Sequence, residues 1–199
     1  MEEKTIGFAM CGSFCTHAAA IQALEQIKAR YAHVIPIVSE TVYNTDTRFG
    51  DAHDLMREMV RICDHRIIST QKQAEPIGPQ KLLDLLIIAP CTGSTLGKLA
   101  HGISDTTVTL AAKAHLRNCR PVLIAPSTND GLSASAPNLG TLMTRKDIYL
   151  VPFRQDDPFG KPASLVADFS LIPSAAAAAL EYRQIQPLLL PSPSAICVQ

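Results

Sequence analysis

The stretch DLLIIAPCTGSTLGKLAHGISD, residues 84–105, decides the fold. Leu85, Leu86, Ile87 and Ile88 form an apolar run with no alternation, the pattern of a strand covered on both faces in a parallel sheet. The run stops at Pro90 and passes into Thr92, Gly93, Ser94 and Thr95. Leu96, Leu99, Ala100 and Ile103 then recur at helical spacing. Strand, small polar turn and helix in that order make half of a βαβ unit.

The same order repeats on both sides. Upstream, TIGFAMC is an apolar strand ending in Gly12-Ser13, and Ala20, Ala23, Leu24, Ile27 and Tyr31 mark a helix over residues 15–31. HVIPIVS returns as a second strand, TVYNTDTRF (41–49) reads as loop, and Leu55, Met59, Ile62 and Cys63 mark another helix. RIIST reads as a short strand and QAEPIGPQ as a proline turn. Downstream, Val108, Ala111, Ala112, His115 and Leu116 line a helix, and RPVLIAPSTND is a strand and turn. A short helix at residues 139–143, a strand DIYLVPF and an alanine-rich helix over 173–184 follow. Helical crossovers of this length join parallel strands. The expectation is therefore a single-domain, doubly wound, mostly parallel α/β sheet over residues 1–186, with 187–199 as an extended or disordered tail.

Composition narrows the partners. The 199 residues are 47% hydrophobic and 18% charged, enough for one full core. Eighteen basic and eighteen acidic residues balance to a net charge of zero, which gives no field for nucleic acid or anionic lipid. No apolar run approaches membrane-spanning length. MEEKTIGFAMCG lacks the basic start of a secretory signal. The six cysteines form no C-x-x-C pair, which suits a reducing cytoplasm and suggests no metal centre.

In doubly wound sheets ligands sit beyond the carboxyl ends of the strands. Three turns there carry small polar residues just before a helix: CGSFCT, APCTGST and APSTND. Free backbone N–H groups with short hydroxyls make cradles for a phosphate or a planar heterocycle. GSFCTH fits neither the dinucleotide fingerprint nor the Walker loop.

These features together resemble the homo-oligomeric flavin-containing Cys decarboxylase superfamily of FMN proteins. The resemblance covers residues 5–155. It rests on the Gly12-Ser13 strand end, Ser39 after the second strand, AP-x-T-x-x-T-x-x-KLA-x-GI-x-D over 89–105 and P-x-x-N over 126–129. The blocks TRFG, AEPIGP, AAKAHLRN, STNDGL, YLVPFRQDDP and KPASLVA extend it to about residue 186. They narrow it to the dipicolinate synthase B-subunit family.

The resemblance implies a Rossmann-like flavoprotein fold that binds FMN. Gly12 and Ser13 would hold its phosphate with help from Ser39, while Thr92, Gly93, Ser94 and Thr95 would lie against the ring and ribityl chain. Ser94 and Asn129 would line the reacting site as candidate catalytic residues. The implied reaction is dehydrogenation of dihydrodipicolinate during spore formation, with NADP carried by a separate A subunit. Assembly into homo-oligomers, trimers or dodecamers, and a place in the cytoplasm of the mother cell follow from the same resemblance. A planar dicarboxylate calls for a bidentate arginine, and Arg48 in NTDTRFG is the candidate. Arg154 and Lys161 come next, and Asp156 and Asp157 suit a turn.

Three alternatives stay open. Decarboxylases of the phosphopantothenoylcysteine type place Asn where this chain has Ser94, and serine lacks the amide's paired donor and acceptor. Their P-x-M-N-x-x-M also loses both methionines here, at Thr128 and Leu132, and neither His53 nor His65 matches their catalytic histidine. CTGSTLGKLAHGISD also resembles the flavin prenyltransferases, but Pro126 and Ser127 replace the Arg-Glu pair of that branch. A noncatalytic partner of the A subunit is the third.

Overall fold

A computed structural model describes residues 1–192. Four parallel strands carry the sheet: β1 (Glu2–Met10), β2 (Tyr31–Val38), β3 (Leu85–Cys91) and β4 (Val122–Thr128), side by side in the order β2-β1-β3-β4. All seven residues of β3 are buried, as its unbroken apolar run requires. β1 grades from exposed Glu2, Glu3 and Lys4 to a buried end at Phe8–Met10, so the sheet is driest where the turns begin.

Beyond β4 the sheet changes character. The first half of β4 pairs in parallel with β5 (Ile148–Leu150), and Ser127 and Thr128 at its end pair antiparallel with β7 (Leu165–Ala167). β6 (Phe153–Arg154) lies outside β7 and completes seven strands. The sheet is mostly parallel and Rossmann-like, with helices on its flanks. α1 (His17–Arg30) packs with α3 (Ala52–Cys63) and α8 (Ile172–Leu180), and α5 (Gly93–His101) packs with α6 (Thr107–Leu116) and α7 (Ala136–Met143).

Several boundaries differ from the sequence expectation. Tyr31 opens β2 instead of closing the first helix, because its extended backbone buries the ring completely. The 41–49 segment begins as a short helix, α2 (Glu40–Asn44), capped by Ser39, whose Oγ accepts the Val42 N–H at 3.3 Å. Glu40 fastens that helix to α6 by accepting Thr107 N–H at 2.9 Å and its hydroxyl at 2.7 Å. RIIST forms only a one-residue bridge, Ile68 to Ile37. QAEPIGPQ coils into α4 (Gln71–Ala74), started by a Thr70/Gln73 capping box, and a 3-10 turn over Glu75–Ile77. DIYLVPF is broken at Val151-Pro152, since proline offers no N–H to continue a ladder. The last helix stops at Leu180, and Tyr182 follows at φ 58 in a left-handed terminus.

Past Gln186, the backbone of Phe153 bonds to Leu188 and Leu190, each at 3.0 Å. The rest of the expected tail, residues 193–199, lies outside the described residues. No helix among the described residues is long and apolar enough to cross a membrane.

Candidate functional site

Because β1, β3 and β4 are parallel, their polar turns open at one edge of the sheet. The first turn is held from both sides. Ser13 adopts a left-handed backbone, φ 66 and ψ 48, and its Oγ donates to the Ser127 carbonyl at 2.6 Å. Thr16 donates to the Ser13 carbonyl at 2.8 Å. The turn after β1 is thus fastened to the end of β4.

The second turn caps α5. Thr92 Oγ1 accepts the Thr95 N–H at 3.3 Å, so the N–H groups of Gly93 and Ser94 stand in the first turn with no acceptor inside the helix. Thr95 lies beneath, its hydroxyl donating to Cys11 Sγ at 3.3 Å. Gly93 is required by close approach. A Cβ there would sit 2.6 Å from Ser135 Oγ and 2.7 Å from both Asp130 Oδ1 and Thr128 Oγ1. Gly12 stands beside the same turn, where an added Cβ would first meet Thr92 Cγ2 at 3.4 Å.

The third turn supplies charge. Thr128 donates to Asp130 Oδ1, and that bond, helped by one from Ser135 against the opposing effect of burial, holds the Asp130 carboxyl below the usual range. The two cysteines under the turns are held in the neutral thiol form. Burial pushes Cys11 up to about 11 and Cys91 well above its ordinary value.

Together the turns open a cleft of ≈ 630 Å³. Of the residues expected from sequence, Ser13, Thr92, Gly93, Ser94 and Asn129 line it. Ser39 is buried, with its hydroxyl committed to capping α2. Arg48 lies outside the cleft of its own chain, exposed and stacked over the Phe49 ring at 4.8 Å. Arg154 faces an adjoining groove of ≈ 480 Å³ and is paired there with Asp168. His53 and His65 are both exposed surface residues.

Other residues enter the site that sequence reasoning missed or placed elsewhere. Cys15, Asp130 and Ser164 line the cleft, and so does Asp156, expected only to form a turn, from the loop between β6 and β7; Lys161, a carboxylate candidate from the sequence, lines it from the same loop. His17 braces it from below: its Nε2 bonds to the Cys11 carbonyl at 2.9 Å, and burial lowers its pKa. The one signal for His17 was its place directly after the Gly12-Ser13 turn. The donor set, hydroxyls and first-turn N–H groups around a cleft of this size, fits the phosphate and ribityl oxygens of a flavin nucleotide.

The Flavoprotein family model matches residues 1–151. The chain is 41% identical over 190 residues to the B subunit of dipicolinate synthase of Bacillus subtilis (strain 168), spanning 96% of this chain and 95% of that one. It superposes on the crystal structure of the dipicolinate synthase B subunit from Bacillus halodurans with a TM-score of 0.87 and 40% identity, over 95% of this chain and 97% of that one. A dodecameric FMN-dependent UbiX-like decarboxylase from Escherichia coli O157:H7 shares the fold at a TM-score of 0.58 and 19% identity, over 74% of this chain and 80% of that one.

Proposed function

The chain belongs to the Flavoprotein family and, within it, to the dipicolinate synthase B-subunit family, and from that membership we propose that it contributes a flavin-type subunit to the oxidation of dihydrodipicolinate to dipicolinate. The observation that carries the reading is the hydroxyl-lined cleft where β1, β3 and β4 end, built from the turns that the resemblance marks. Aromatising the dihydropyridine ring removes two hydrogens, one as hydride and one as a proton. NADP on a separate A subunit accepts the hydride in this reading, which accords with a first turn that lacks the dinucleotide fingerprint.

FMN, when bound, supplies a reversible two-electron acceptor. Ser13 and the N–H groups of Gly93 and Ser94 would hold its phosphate and ribityl oxygens, with Gly12 and Thr92 shaping the walls. Thr95 supports those turns from behind through Cys11, and Ser39 through its N–H bond to the Met10 carbonyl at the end of β1. Ser94 and Asn129 face the cleft with a hydroxyl and an amide, which orient a planar dicarboxylate by donating to its oxygens. Arg48 reaches a substrate carboxylate in this reading by crossing to a neighbouring copy. Self-association is supported by the dodecameric neighbour, and expression in the mother cell belongs to the same proposal.

The test is the visible absorption spectrum of the purified chain with added FMN, repeated for Ser13→Asp and Thr92→Arg. A perturbed flavin band in the parent that vanishes in both variants is the expected result. No binding at micromolar FMN overturns the flavoenzyme reading and favours a noncatalytic subunit that organises its partner.

A further inference from the structure

The cleft has an uneven charge. Asp130 and Asp156 both face it, and among the described residues that line it Lys161 carries the single positive charge. An anionic ligand entering this space meets two carboxylates and one ammonium. Apart from the hydroxyls and the first-turn N–H groups of α5, Lys161 is the one cationic group it meets among the described lining residues.

The geometry around Lys161 is fixed in backbone and loose at the tip. Lys161 N–H bonds to the Asp157 carbonyl at 2.8 Å, the Ser164 N–H to the Lys161 carbonyl at 2.9 Å, and the Leu132 N–H to the Ala163 carbonyl at 2.9 Å, which ties the loop to the turn after β4. Ser164, 3% exposed, donates to Asp156 Oδ1 at 2.6 Å and locks that carboxylate in place. Lys161 Nζ then lies 3.6 Å from Asp156 Oδ2, within ion-pair range but longer than a direct hydrogen bond, with 60% of its side chain exposed. The ammonium is held over the cleft by charge while its N–H donors stay available.

We infer that Lys161 is the cationic contact for an anion in the cleft, beside its neutral donors, and that Asp156 is the resident counter-ion the ligand displaces. The ligand class is a small oxyanion, either a carboxylate of the substrate or the phosphate of the flavin nucleotide. The inference rests on the reading that this cleft binds both. Two substitutions have opposite expected signs. Lys161→Met removes a charge-assisted contact and weakens anion binding about tenfold. Asp156→Asn removes the competing carboxylate, keeps an acceptor for Ser164, and tightens anion binding about threefold.

The experiment titrates FMN, riboflavin and pyridine-2,6-dicarboxylate into the parent, Lys161→Met, Lys161→Arg and Asp156→Asn, with thermal unfolding to verify folding. If the phosphate docks at Lys161, Lys161→Met weakens FMN and leaves riboflavin unchanged. If the carboxylate docks there, the dicarboxylate weakens and both flavins hold. Either result, with Lys161→Arg retaining most of the affinity and Asp156→Asn binding more tightly, supports the assignment and identifies its source. A parent that binds these ligands and a Lys161→Met variant that binds them equally well overturns the role of Lys161 alone. A parent that binds none of them overturns the reading of the cleft, and the assignment with it.

Discussion

Two glycines on one helix should respond to alanine with opposite signs. Gly93 and Gly97 both lie in α5. Replacing Gly97 places a Cβ 3.4 Å from Asn138 Nδ2, at the near edge of ordinary contact, so the helical preference and the reduced freedom of the unfolded chain decide the outcome. Gly97→Ala is expected to gain about 0.5–1 kcal/mol. Gly93→Ala would gain a similar amount in an empty environment. Its Cβ instead arrives 2.6–2.7 Å from three polar atoms, those of Ser135, Asp130 and Thr128. Each must retreat by nearly an ångström, and they belong to one cluster in which Thr128 and Ser135 donate to Asp130. Opening it costs about 1–3 kcal/mol for a bond to an ionised group. The net expectation is a loss of about 1–2 kcal/mol for Gly93→Ala and a gap of about 1.5–3 kcal/mol between the two variants. Urea unfolding with fluorescence or circular dichroism measures both, with unchanged m-values required for the comparison. Equal stabilities for the two variants refute the close approach of the β3 and β4 turns on which the cleft depends.

The Tyr31 hydroxyl is fully buried and has no hydrogen-bond partner among the described residues, so Tyr31→Phe is expected to raise stability by up to about 1 kcal/mol; a loss above that size in the same urea assay would reveal a hidden partner. His115 bonds through Nε2 to the Pro121 carbonyl at 3.0 Å, and burial pushes its pKa from 6.5 to about 4. The unfolded chain binds that proton more readily, so the contribution is complete above pH 6.5 and is lost as pH falls toward 4, about 3 kcal/mol in all. His115→Gln keeps an N–H donor and should flatten that part of the stability profile between pH 7 and pH 4.5; an unchanged slope rejects the assignment. Cys15 is exposed while Cys11 and Cys91 are buried with raised pKa values, so a thiol reagent at neutral pH should label Cys15 in the native protein and spare the other two, as peptide mapping would show.

How much of this was legible in the sequence depends on what fixes each residue. β1, β3 and β4 are buried on both faces along most of their lengths, so their unbroken apolar runs announced them, and Thr92 announced the start of α5 because a cap is a local device. Ser39 was legible as a polar residue after β2, but its commitment to α2 depends on Glu40 reaching Thr107, 67 positions away, which no local pattern displays. Ser13 gave no sign of its left-handed backbone, since the residue there is not glycine, and the conformation is held by the bond to Ser127 across 114 positions. The largest gap was the wall beyond β4. β6 and β7 have two and three residues, too few for any periodicity, and Pro152 divides what reads as one strand. Those elements carry Asp156, Lys161 and Ser164 into the cleft. The sequence therefore disclosed the neutral floor of the site, made of hydroxyls and backbone N–H groups at strand ends, and of the charged wall it offered Lys161 as a carboxylate partner without showing that Asp130 and Asp156 stand in the same cleft. On the role inferred for Lys161, it is the wall that separates ligands by charge: a floor of hydroxyls and N–H groups accepts many polar ligands, whereas one ammonium opposed by two carboxylates favours an oxyanion that reaches the ammonium and avoids the carboxylates.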